Sequence, residues 1–161
     1  MSSSEVQTNA EEVIVASLAT LLGVGLEQQP GKIGLQGGVS IEVDAATEDG
    51  SIVVEAYARQ GRLKGAQLKK VAQDILKLAL LKREKDREQT ETIIAFASQE
   101  AHDSISGWLR QAAKSFGVSL MVVPIPDVLR REILSAQGRQ VMVNVDEIAD
   151  DVAPTAASTV D

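Results

Sequence analysis

Between Ser40 and Gly61 the chain reads SIEVDAATEDGSIVVEAYARQG, two runs of alternating polar and apolar residues joined by Asp49-Gly50. Asp-Gly between alternating runs is a strong signal for a two-residue hairpin turn, because both turn positions need a positive φ. With Asp49 and Gly50 in the turn, Glu48 faces Ser51, Asp44 falls opposite Glu55, and Glu42 falls opposite Tyr57. One face then carries Glu42, Asp44, Glu55, Tyr57 and Arg59. The other carries Val39, Ile41, Val43, Ile52, Val54, Ala56 and Ala58. A slip of one residue would mix the two sets, so the pattern fixes the register.

A polar face turned to water would account for the alternation by itself. The pairing of Asp44 with Glu55 runs against that account, since like charges at cross-strand distance destabilise a sheet by roughly 0.2–1 kcal/mol. Arg59, two positions beyond Tyr57 on the same face, would relieve the repulsion in part. A divalent cation would relieve it more fully, and magnesium is commonly held by one or two carboxylates with water and substrate phosphate completing its shell.

The remaining segments alternate between helix and strand patterns. Thr8 and Glu11 have capping-box spacing for a first helix that ends near GVGLEQQPG, and GKIGLQGG has room for a short strand. After the hairpin, LKGAQLKKVAQDILKLALLKREKDRE predicts a long helix, with Leu68, Val71, Ile75 and Leu78 inward and Lys70, Asp74 and Lys77 outward. TIIAFAS (92–98) and VSLMVVPIP are short apolar runs that predict buried strands. The segment between them predicts one helix capped by Ser98 and closing at Phe116-Gly117. DVLRREILSAQG predicts a fourth helix stopped by Gly138, and QVMVNV alternates as an edge strand or docking arm would. The expected fold is α/β: a mixed sheet with an antiparallel hairpin and a strand-helix-strand crossover, flanked by helices. Residues 1–8 are expected to be a flexible N-terminus, 9–145 a single domain, and 146–161 an acidic disordered tail.

Composition narrows the chemistry. A chain of 161 residues with 44% apolar and 24% charged residues is long enough for one well-formed core. The absence of cysteine excludes disulfides, thiolate metal sites and cysteine nucleophiles, and the single histidine, His102, excludes a multi-histidine zinc site. The acidic start has no positive n-region, and the run Val13–Leu26 is shorter than the roughly 20 residues a membrane helix needs, so a cytoplasmic protein is expected. The net charge of -7 is unevenly spread: ten of the sixteen basic residues lie between Arg59 and Arg87. GKIGLQGG lacks the spacing of a phosphate-binding loop, Trp108 reads as core or interface, and His102-Asp103 reads as a helix start.

A helix, a hairpin with an acid on each strand, then a helix and a strand resembles the PD-(D/E)XK (restriction-endonuclease-like) nuclease superfamily, over roughly residues 11–126. The resemblance places Asp44 at the family's aspartate and Glu55 at the first acid of its (D/E)XK strand, and implies that both bind Mg or Mn. Gln67, in the first turn of the next helix, also fits. The family's lysine is missing, since Tyr57 stands two residues after Glu55. The resemblance leaves two substitutes: Lys64, reaching in from the start of the helix, and Arg59, which can stabilise an anion but cannot act as a base. Glu12 on the first helix is a further candidate ligand, and Glu42 an outer one. DNA or RNA is the implied partner of the basic segment 59–87, with Arg62, Lys64, Lys69 and Lys70 as phosphate contacts of no base specificity. The implied function is that of a divergent nuclease-fold protein acting on or binding nucleic acid, with Mg/Mn-dependent phosphodiester hydrolysis. The alternatives are a catalytically inactive nuclease-fold subunit, or a protein-interaction module that forms a homo-oligomer or takes a protein partner.

Overall fold

The computed structural model describes the backbone of residues 2–151 and the side-chain environment of residues 2–142. Its first helix, α1 (Ser3–Leu22), begins five residues before Thr8. The Ser2 hydroxyl accepts from the Glu5 backbone N–H while the Glu5 carboxylate accepts from the Ser2 N–H, a reciprocal cap that satisfies two otherwise unpaired donors. Gly23 ends the helix in the left-handed region, φ 66°, where a side chain would be strained.

The strands that follow are short: β1 (Glu27–Gln28), β2 (Ile33–Gly34), β3 (Ser40–Ile41) and β4 (Ala45–Ala46). They lead into β5 (Ile52–Tyr57), the helix α2 (Gly65–Lys82) and β6 (Glu91–Phe96). Two helices, α3 (Gln99–Asp103) and α4 (Gly107–Ser115), stand where one was expected, and β7 (Val118–Val122) and α5 (Asp127–Asp151) complete the described chain. The five-stranded sheet has the order β1-β4-β5-β6-β7, antiparallel from β1 to β5 and parallel from β5 to β7. The α/β class, the mixed sheet, the hairpin and the flanking helices are therefore as the sequence predicts.

The hairpin register is also the expected one, with Ala45 opposite Val54 and Ala46 opposite Val53, so that position 44 faces position 55. The turn is held by the Asp49 carboxylate, which accepts from the Ser51 N–H and hydroxyl and the Thr47 hydroxyl. These bonds pull Asp49 down to about 2. Beyond Ala45 the ladder stops. Ser40 and Ile41 leave β5 and pair instead with Gly34 and Ile33 in a separate two-stranded sheet. Glu42 therefore does not lie opposite Tyr57, and Val43 packs on the same side as Tyr57, not against Ile52 and Val54.

Two cores cover the two faces of the sheet. Val54, Ala56, Ile93 and Ala95 meet α1 and α5 on one side. Val53, Tyr57, Ile94 and Phe96 meet α2, α3 and α4 on the other. Each fully buried aliphatic side chain contributes about 1.5–3 kcal/mol by leaving water. With both faces covered, the polar side of the hairpin is inside the protein. Glu55 is 3% exposed and Tyr57 6%.

Two expectations at the C-terminal end fail. Gly138 does not stop α5, and QVMVNV is helical within it. An isolated glycine costs only about 1 kcal/mol in a helix interior, and packing of Leu129, Ile133 and Ala136 against α1 holds the helix through it. Residues 146–151 of the predicted tail belong to this helix, and 152–161 lie outside the described residues.

Candidate active site

The break in the ladder positions the first acid. The Ala56 N–H points toward the hairpin's first strand, which has turned away, and the Asp44 carboxylate takes its hydrogen bond at 2.8 Å. A side chain thus replaces a main-chain acceptor, and Asp44 is fixed at the margin of β5 next to Glu55. Leaving that N–H unpaired in the interior would cost about 1–3 kcal/mol.

Glu55 points toward α2. Its Oε1 lies against the Lys77 ammonium in an ion pair, without a hydrogen bond of regular geometry. Burial, together with a hydrogen bond to Asp44 and the charge of that carboxylate, raises Glu55 to about 8, against the opposing influence of Lys77. Lys77 also pairs with Asp74 at 3.3 Å and donates to the Glu42 carbonyl at 2.9 Å. Burial lowers the Lys77 ammonium, but Glu55 and Asp74 outweigh it and hold it above its ordinary value.

Asp74, 6% exposed, joins the elements. It accepts from the Tyr57 hydroxyl at 2.5 Å, and Lys70 approaches it at 3.6 Å. The Lys70 ammonium also lies 4.6 Å from the centre of the Tyr57 ring. Tyr57 is raised by burial and then by its hydrogen bond to Asp74, so it stays a neutral donor. The opposite face of Tyr57 stacks on Phe96 at 5.4 Å, which fixes the ring.

Glu55, Asp74 and Lys77 are half-buried or buried, against the expectation that Asp74 and Lys77 face water. The signal was present: Val71, Asp74, Ile75 and Leu78 have the i, i+3, i+4, i+7 spacing of an inward stripe. Lys77 is the cation that reaches Glu55. Lys64, expected there, is exposed at the start of α2 with its backbone N–H bonded to Gln67, and makes no ion pair among the described residues. Arg59 lines the cavity beside Asp44 but pairs with no acid among the described residues. Arg62 and Lys69 are exposed on the surface, and only Lys70 of the four expected phosphate contacts reaches the centre.

On α1, Glu11 lies beside Asp44 in place of Glu12, which is exposed. Burial, opposed by a hydrogen bond from Gln7 and aided by the charge of Asp44, raises Glu11. The Glu42 side chain is exposed and takes no part. Trp108 is 76% exposed, so it is not core, and His102 is occupied by Asp103 at 2.8 Å.

A cavity of about 430 Å³ lies beside this centre, lined by Asp44, Tyr57, Glu11, Arg59, Gln67 and Lys70 among others; Glu55, Asp74 and Lys77 do not line it. Among the described residues no three His, Cys, Asp or Glu side chains converge as a metal cluster. Asp44 and Glu55 are the two carboxylates that meet. Among the described residues no helix is long and apolar enough to cross a membrane. No protein family, curated protein or solved structure matches the chain.

Proposed function

We propose that this chain is a divergent restriction-endonuclease-like protein whose Asp44, Glu55 and Lys77 form a phosphodiester-hydrolysing centre. The observation that carries the proposal is the Lys77 ammonium set against Glu55 at the margin where Asp44 crosses from β4. Two acids and a lysine are the functional groups of the (D/E)XK motif, here with the lysine supplied by α2. The strand position two residues after Glu55 holds Tyr57, which anchors Asp74 and, through it, Lys77.

Carboxylate oxygens, the donors available at Asp44 and Glu55, are the type that a hard divalent cation prefers. Glu55 and Asp74 face the Lys77 ammonium, and Asp44 meets Glu55 from the other side. Glu55 Oε1 already lies against the Lys77 ammonium, so a cation would share that carboxylate with Lys77. Asp44 and Glu55 would hold Mg or Mn, with water and substrate phosphate filling the remaining positions. The bound ion would activate water and stabilise charge developing on the phosphate. Lys77 supplies a fixed positive charge beside the attacked phosphorus, where a preorganised cation is worth more than in water. Glu55, held at about 8, can release its proton in the neutral range when a cation arrives. Arg59 and Lys70, which line the same cavity as Asp44, would draw an anionic phosphate toward it.

One observation favours the alternative of a non-catalytic nuclease-fold subunit. Glu55 is already engaged on both sides, by Lys77 and by Asp44, and such a network is satisfied without a metal. The interaction-module alternative loses its strand, because QVMVNV is helical. Thermal-shift titration with magnesium and manganese decides between catalysis-competent and filled. A native-state ligand raises the melting temperature by mass action, so the wild type should shift and Asp44→Asn should not. Equal responses of the two proteins at millimolar metal would remove the metal centre.

A further inference from the structure

The outer face of α2 and α4 holds apolar side chains that the fold leaves uncovered. Leu76 is 68% exposed and Leu80 about half exposed on α2, while Trp108 on α4 and Phe116 at its end stand in the open. Large apolar residues mark an interaction surface when they are gathered and mean nothing when they are scattered. These four are gathered. Lys82, near the end of α2, donates to the Gly117 carbonyl just beyond α4, so the two C-terminal ends lie together. Ala72, Ile75, Ala79 and Lys82 follow one another at i, i+3, i+7 and i+10, a single flank of α2, which therefore faces α4. On α4, Arg110 and Lys114 line a recess along β7 at the edge of the sheet. The opposite flank, with Trp108, Ala112 and Phe116 at i, i+4 and i+8, is therefore turned toward α2.

The result is a shallow groove. Ala72, Ala79 and Ala112, each half-buried, make its floor, and Leu76 and Trp108 rise on either side. Small side chains below and large ones at the sides suit a rod, and an α-helix is a rod about 10–12 Å across.

Charge selects the partner. Residues 65–83 and 104–117 together hold seven basic residues and one acid, Asp74, which is buried. Lys69 and Arg83 are exposed on the same side of α2 as Leu76 and Leu80. The whole chain has a net charge of -7, so this face is opposite in sign to the rest of the molecule. A second copy set face to face would bring Lys69 and Arg83 against their own counterparts. A nucleic-acid strand would satisfy the cations and leave Leu76 and Leu80 in water. An anionic bilayer is flat, leaves the alanine floor unfilled, and is repelled by the net charge. We propose that the groove between α2 and α4 docks an acidic amphipathic helix of a partner protein, its apolar face between Leu76 and Trp108 and its carboxylates toward Lys69 and Arg83. The groove shares no residue with the lining of the cavity beside Asp44, and the proposal does not rest on the phosphodiester centre.

Trp108 is the chain's single tryptophan, so its emission reports on this face alone. The test titrates the full chain with three synthetic helical peptides of about 18 residues, or five turns. One has leucine on one face and glutamate on the other; a second has lysine in place of glutamate; a third keeps the glutamates and changes each leucine to alanine. The first should shift Trp108 emission to the blue and bind at least ten-fold more tightly than the other two. Leu76→Ser should weaken it ten-fold or more. Should that variant fail to fold, Lys69→Glu with Arg83→Glu should turn the preference from the glutamate peptide to the lysine peptide. Equal binding of those two peptides overturns the proposal, as does failure of all three to bind, or binding that leaves Trp108 emission unchanged. Phosphatidylglycerol vesicles or a single-stranded oligonucleotide that displace the glutamate peptide and shift Trp108 more strongly would overturn it in favour of a membrane or a nucleic acid. Sedimentation of the chain alone should show a monomer; an oligomer that Leu76→Ser dissociates would give the face to a second copy instead.

Discussion

Replacing Glu55 with glutamine should remove most of the protein's dependence on pH between about 4.5 and 8. In the folded chain burial and Asp44 raise Glu55 from 4.5 to about 8, while the unfolded chain releases that proton near 4.5. Across the interval the folded state therefore binds more protons, and stability falls as pH rises, levelling off above about 8. The interval is 8 − 4.5 = 3.5 units, and at about 1.4 kcal/mol per unit the wild type loses up to about 5 kcal/mol. Glu11, also raised, adds a smaller loss of the same sign. Asp49, pulled down to about 2, acts only below the interval and with opposite sign: its stabilising contribution is lost as pH falls from the unfolded 3.8 toward 2. Urea denaturation at a series of pH values measures the effect. The wild-type midpoint should fall steadily from pH 5 to 8, and the midpoint of Glu55→Gln should change much less. A flat wild-type profile, or a slope unchanged in the variant, would falsify the assignment of a shared buried proton to Glu55.

Other consequences follow from the same geometry. Tyr57→Phe removes the donor from a buried carboxylate and should lower stability by about 1–3 kcal/mol, measured by chemical denaturation; a loss below 0.5 kcal/mol would mean that Asp74 is solvated in the native state. Lys70→Ala, at a side chain 61% exposed, should change stability by less than about 0.5 kcal/mol yet flatten the salt dependence of nucleic-acid binding by about one phosphate contact. An unaltered slope would place the phosphate elsewhere. The manganese-induced thermal shift should grow between pH 6.5 and 8.5, because Glu55 must give up a proton that it holds to about 8. Trp108, 76% exposed, should emit like a tryptophan in water and change little on unfolding; a strongly blue-shifted native spectrum would show that its helix is covered.

Much of the fold was legible because local chemistry agreed with the tertiary structure. Asp49-Gly50 marked the turn, and the alternation around it allowed one register, which is the one observed; the connection itself is the four residues 48–51, closed by the Gly50 N–H on the Thr47 carbonyl, with Gly50 but not Asp49 at positive φ. The apolar runs at 92–98 and 118–126 read as buried strands; β6 is buried from Thr92 to Phe96, whereas β7 lies at the sheet edge and is half-buried from Leu120 to Val122. The break at Asp44 was not legible, since it depends on Ser40 and Ile41 pairing with Gly34 and Ile33 instead of continuing along β5, a choice between two short ladders that alternation alone does not make. Nor was the continuation of α5, where packing against α1 overrides Gly138. The start of α1 was misplaced because Ser2-Glu5 and Thr8-Glu11 have the same capping spacing, and only one can be used.

The candidate site was half legible. Asp44 and Glu55 follow from the register alone. Lys77 was missed because charged residues on a helix are ordinarily assigned to water. A strand carrying a glutamate and a tyrosine on one covered face needs polar partners, and Asp74 and Lys77 lie on the stripe of α2 that faces it. Lys64, the substitute expected from the start of the same helix, is exposed, and the cation that reaches Glu55 stands further along it at Lys77. The helix that covers the strand is the nearer source.

The most direct measurement is the manganese-dependent cleavage of labelled oligonucleotides, single-stranded and duplex, by the wild type, Lys77→Met and Asp44→Asn, each verified as folded by circular dichroism. The account predicts cleavage by the wild type that needs the metal, and a loss of 10²-fold or more in both variants, the order expected when a preorganised charge is removed from a transition state. Wild-type cleavage that persists undiminished in Lys77→Met, or a folded wild type that cleaves nothing at millimolar manganese, would contradict it.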